Sequence, residues 1–112
     1  MEIDVKTTAE AVVIGIGFDV DARTAPGLQD HILPLIPSHR PVILDMSRVA
    51  YMSSAGLRVL LSTYRAAKST NSQIILVGLS EDIKDTMSAT GFLGFFVTFD
   101  TLDDALASLR QG

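Results

Sequence analysis

Apolar and polar residues alternate from Met1 to Lys6, with Ile3 and Val5 on one side and Glu2, Asp4 and Lys6 on the other, as in a half-exposed strand. After a turn at Thr7 to Glu10, the more apolar run from Ala11 to Phe18 predicts a second strand. So short a connection makes the pair antiparallel. The apolar spacing then lengthens to three and four at Leu28, Ile32, Leu35 and Ile36, one face of a helix. Thr24 is its expected N-cap, Pro26 sits in its first turn, and Pro34 ends or kinks it near residue 33.

Val42 to Leu44 and the run from Gln73 to Gly78 are aliphatic stretches of the kind found in strands buried on both faces. Between them Leu57, Leu60, Leu61 and Tyr64 recur at helical spacing, while Arg58, Ser62, Arg65 and Ser69 make a polar stripe. Strand, helix, strand at this spacing predicts a parallel βαβ unit. Ser80 caps a third helix with Ile83 and Met87 facing inward and Gly91 at its end. Phe95 to Phe99 is a short strand, and Phe92 and Phe95 are expected to pack inside. Thr101 and Asp104 open a last helix whose inner face is Leu102, Leu106 and Leu109. The order β, β, α, β, α, β, α, β, α predicts an α/β fold with a mixed sheet of about five strands and about four helices, packed mainly on one face.

Length makes residues 1–112 one expected domain, with room for a real core. Hydrophobic residues are 47% of the chain but aromatics only 6%, so that core is aliphatic. A formal net charge of −4 without a dense Lys/Arg cluster argues against nucleic acid and against an anionic membrane surface as partners. There is no cysteine, which removes disulfides, thiol catalysis and thiolate metal sites and fits a reducing cytoplasm. No apolar run approaches the roughly 20 residues that span a bilayer, and the first residues lack the pattern of a signal peptide. A cytoplasmic location is expected.

Candidate chemistry is sparse. Gly15 and Gly17 lack the residues that complete a phosphate-binding loop, so close backbone approach or a bulge is the better reading. Asp19 and Asp21 have no third ligand near them and read as loop acids at a helix N-terminus. His31 and His39 read as surface residues. With no activated nucleophile, tuned acid/base pair or metal cluster, the chain reads as no enzyme and calls for no cofactor. The informative stretch is Ser53-Ser54-Ala55-Gly56, at the start of the second helix. Either serine can be the N-cap. A hydroxyl there is also a place where a phosphate meets free N–H groups and the positive end of the dipole, with Arg58 one turn further on.

Asp45-x-Ser47-x-Val49-x-x-Met52-Ser53-Ser54-Ala55-Gly56-Leu57, followed by a Leu-rich helix, resembles the signature of the STAS domain, in particular of the anti-sigma factor antagonists. Asp21-Ala22-x-Thr24-Ala25-Pro26 resembles that family's strand-to-helix turn, although Phe18 replaces a glycine common there. The resemblance implies a binding module that captures an anti-sigma factor, a serine kinase of the histidine-kinase-like ATPase type. It further implies that phosphorylation of Ser54, with Ser53 as the alternative acceptor, breaks the contact, and that a phosphatase restores it. Asp21, Ser53, Ser54, Ala55, Gly56, Arg58, Ser62 and Arg65 are the implied contact residues. Ser53 stands where the family usually has Asp. That departure keeps open a second role, a constitutive docking subunit of a lipid-transport, stress-sensing or transporter complex.

Overall fold

A computed structural model describes residues 2–37 and 39–111. Met1 of the first predicted strand, Ser38 of the loop before the third, and Gly112 lie outside the described residues. Five strands form one sheet in the order β1-β2-β3-β4-β5: β1 Ile3–Thr7, β2 Val12–Ile16, β3 Val42–Asp45, β4 Ile74–Val77 and β5 Val97–Phe99. The first pair is antiparallel and the other three are parallel, so the sheet is mixed. β3 and β4 are central and almost wholly buried, which is why their sequences are aliphatic without alternation.

The helices are α1 Ala25–Ile32, α2 Ser54–Ser69, α3 Glu81–Ala89 and α4 Leu102–Gln111. Strands 2 to 5 advance one place at a time in one direction. Right-handed crossovers of that kind put every connecting helix on the same face. The packing agrees: Ile14, Ile16, Val42, Leu44, Ile74 and Leu76 share a core with Leu28, Leu60 and Ile83 of α1, α2 and α3. The alternate residues Val13, Ile43, Ile75 and Val77 meet Ala105 and the leucines of α4, which covers the other face. Among the described residues no helix is long and apolar enough to cross a membrane.

Several local expectations change. Pro34 falls in a short 3-10 turn at Leu33–Leu35, so the helix stops at Ile32 and Leu35 lies outside it. Ala11, Gly17 and Phe18 lie outside β2, though Ala11 is fully buried. Val5 is exposed, because β1 is an edge strand. Gly91 ends α3 at φ +79°, the left-handed conformation that glycine adopts freely. Gly17 marks a close approach by a side chain: a Cβ there would lie 3.1 Å from the Arg48 guanidinium. Arg48 reaches back to β1 and its flank, with Nη1 2.7 Å from Glu2 Oε1 and Nη2 3.2 Å from Asp4 Oδ2.

The aromatic end also differs from expectation. Leu93–Phe95 is a 3-10 turn, and only Val97–Phe99 is strand. Phe96 is buried, but Phe95 is 50% exposed. It stacks on Tyr64 with ring centroids 5.4 Å apart. The apolar pattern could not separate a ring inside the core from one lying along its border.

Candidate functional site

Two loops leave the same end of the sheet, one after β2 and one after β3, and are fastened to each other. Val20 and Met52 form an isolated parallel bridge. The Val20 N–H donates to the Tyr51 carbonyl at 3.0 Å, and the Ser53 N–H donates to the Val20 carbonyl at 2.9 Å. Asp19 adds a side-chain clamp: its Oδ1 accepts from the Ala50 N–H at 3.1 Å and the Tyr51 N–H at 3.0 Å. Asp45 ends β3 in a similar way, accepting from the Ser47 N–H at 3.0 Å.

Thr24 stands at the N-cap position of α1 as expected, but its side chain is used elsewhere. Thr24 makes no cap bond; its hydroxyl donates to the Asp19 carbonyl and accepts from the Asp21 N–H. Asp21 Oδ1 instead accepts from the N–H groups of Arg23 at 2.9 Å and Thr24 at 3.2 Å. Those donors, Arg23 foremost, hold the Asp21 carboxyl below its ordinary pKa, so it stays charged at neutral pH. Asp21 therefore sits as an anion one residue beyond the point where the two loops join.

The two serines have different jobs. Ser53 has extended backbone and its Oγ accepts from the Ala55 N–H at 3.2 Å, which makes it the N-cap of α2. Ser54 is the first residue of the helix and is exposed. Ala55 is half-buried and Arg58 exposed; with Ala22, Pro26, Gln29 and Asp30 they line an open recess of about 390 Å³ between α1 and α2. Gly56 is buried against Val20 and Met52, beneath the site rather than on it. Half-buried Ser62 and exposed Arg65 continue along α2. At 1.5 Å per residue Arg65 lies about 16 Å from Ser54 along the axis.

The sequence pattern reads Asp19 as a loop acid at a helix N-terminus; its clamp is not legible there because its partners lie 31 and 32 residues away. Tyr51 was missed as well; it is 57% exposed, two residues before the cap. Removing the clamp has a readable consequence. Asp19→Ala should speed amide hydrogen exchange at Ala50 and Tyr51 several-fold, whereas Asp19→Asn, which keeps the acceptor oxygen, should retain most of the protection. Equal exchange in both variants would mean that the Val20–Met52 bridge holds the loops unaided.

Among the described residues no group of three or more His, Cys, Asp or Glu is placed to hold a metal ion. The surface is one of hydroxyls, small side chains, the buttressed carboxylates of Asp19 and Asp21, and a basic helix face. Residues 2–105 match the family model of the STAS domain. The chain belongs to the STAS domain family. Within it the chain is similar to the anti-sigma-B factor antagonist of Bacillus subtilis strain 168, with 28% identity over 91 residues, covering 81% of this chain and 84% of that protein. An anti-sigma factor antagonist from Mycobacterium paratuberculosis superposes with a TM-score of 0.85 at 26% identity, covering 97% and 93% of the two chains. The fold also matches an anti-sigma factor antagonist (STAS) domain protein from Planctomyces limnophilus, with a TM-score of 0.86 at 16% identity over 96% and 97%. The fastened loops and the cap of α2 thus belong to a STAS domain.

Proposed function

We propose that this STAS chain is an anti-sigma factor antagonist whose binding is switched at Ser54. Unphosphorylated, it captures an anti-sigma factor that is also a serine kinase of the histidine-kinase-like ATPase type. Transfer of the γ-phosphate of ATP to the Ser54 hydroxyl releases that partner, and a phosphatase resets the chain. The observation that carries this reading is the division between the serines: Ser53 Oγ is engaged as the cap, while Ser54 stands exposed at the first position of α2.

A phosphate on Ser54 lies at the positive end of a 16-residue helix, so the fold can tolerate it. It adds about −1.5 to −2 charges to a surface that already holds the Asp21 carboxylate. The contact surface comprises Asp21, Ser53, Ser54, Ala55 and Arg58, with Ser62 and Arg65 further along the helix; Gly56 contributes by letting the helix seat closely. The module binds rather than catalyses.

Capture from a lysate of the source organism tests the switch, with wild type, Ser54→Ala and Ser54→Asp as baits and mass spectrometry as readout. Wild type and Ser54→Ala should retain a kinase-type anti-sigma factor that Ser54→Asp loses. Ser53 in place of the family's usual Asp favours one competing reading, a constitutive docking subunit. Equal retention of one partner by all three baits would establish that role instead.

A further inference from the structure

Helix α2 carries three cations, Arg58, Arg65 and Lys68, and no acid, in a chain of net charge −4. Among the described residues none of the three takes part in an ion pair, whereas Arg23, Arg48, Lys84 and Arg110 all do. At 3.6 residues per turn, Arg58, Arg65 and Lys68 point within roughly 40° of the direction of Ser54, so one basic stripe runs from the switch to the far end of the helix. There it meets an apolar recess. Tyr64, Ala67, Ile74, Phe95 and Val97, with Lys68 and Ser72 at its polar edge, line an open hollow of about 170 Å³, close to the volume that takes one aromatic ring.

The rim of this hollow is ordered. Tyr64 stacks on Phe95, Phe95 stacks on Phe92 at 6.2 Å, and Lys68 Nζ lies 5.7 Å from the centre of the Tyr64 ring. Phe95 and Val97 still leave 50% and 47% of their surface uncovered. Stacked rings around an open, largely apolar hollow beside a cation outside any ion pair are the features of an anchor site.

We propose that this far end of α2 is a second docking point for the same anti-sigma partner, which inserts an apolar side chain between Tyr64, Phe95 and Val97 and lays acidic residues along Arg65 and Lys68. The inference rests on the proposed capture of an anti-sigma factor and adds the chemistry of the partner's surface. Charge complementarity selects the acidic segment, and continuity of the stripe with Ser54 selects the same partner. The phosphate acts at one end of the contact while the aromatic anchor supplies affinity at the other.

The test is a titration of the full chain against the purified kinase-type anti-sigma factor of the same organism, at low and high salt, by calorimetry. Phe95→Ala should weaken binding by about tenfold or more. Lys68→Glu, a surface change that leaves the rings in place, should weaken it by a similar factor at low salt and less at high salt. Circular dichroism of both variants checks that they are folded. If both bind like wild type while Ser54→Asp does not, the second docking point is overturned and the switch stands. If both weaken binding while Ser54→Asp binds normally, the docking point stands and the switch fails. Absence of binding by wild type overturns both. Conversion of a dimer to a monomer by Phe95→Ala, with partner binding unchanged, would assign the hollow to a second copy of the chain and overturn the proposal.

Discussion

Gly56→Ala should lower the unfolding midpoint by roughly 5–10 °C, although alanine is ordinarily the better helix residue by about 1 kcal/mol. The reason lies beneath the helix. A Cβ at position 56 collides with Met52 Cγ and comes within 3.0 Å of Val20 Cγ1 and 3.1 Å of the Val20 carbonyl oxygen. These are the two residues that join the loops, and Val20 and Met52 are both buried. Met52 Cγ sits near the base of its buried side chain, so moving the flexible end gives little relief, and the Val20 carbonyl accepts from the Ser53 N–H and has nowhere to go without breaking that bond. Overpacking of this kind costs about 1–3 kcal/mol in a well-filled core. Gly94→Ala is the matched control, because nothing lies within 4 Å of its added Cβ. Thermal unfolding of the two variants side by side decides the point; a Gly56→Ala midpoint equal to wild type would show that the first turn of α2 is not seated on the bridge.

The parts of this architecture that were legible in the sequence are those in which one physical effect dominates. Val42 to Leu44 and Ile74 to Val77 are buried on both faces, so their composition alone names them as central strands. Helix α2 was legible as an element, but Thr63 was not legible as part of its buried face: the residue is fully buried and returns its hydroxyl proton to the Val59 carbonyl at 2.8 Å, which makes a polar residue acceptable there. At the site, the spacing of Ser53 and Ser54 marks a helix start but cannot say which hydroxyl faces the free N–H groups. That depends on the extended backbone of Ser53, which the hydrogen bond from its own N–H to Val20 imposes from a distant loop. The clamp formed by Asp19 is illegible for the same reason, with partners 31 and 32 residues away. Its role depends on which segment lies opposite, and local pattern carries no record of that.

The assignment of the acceptor leads to the largest effect on binding. Incubation of the chain with ATP and its cognate kinase should place one phosphate on Ser54, mapped by fragmentation of the peptide that carries both serines. Ser54→Ala should abolish the label. Ser53→Ala should keep it, while losing about 1 kcal/mol of stability with the cap. Ser54 is exposed, whereas Ser53 is half-buried with its hydroxyl turned onto the Ala55 N–H. Phosphorylation of the wild type should then weaken binding to the kinase by more than about a hundredfold, close to 3 kcal/mol, a modest coupling for two added charges beside the Asp21 anion. Thermal stability should change little, because the first turn of α2 favours negative charge. A label found on Ser53 would mean that the cap opens for the kinase, and the chain would then lose fold stability along with its partner. A label on Ser54 that left affinity unchanged would separate modification from release and remove the switch from this surface.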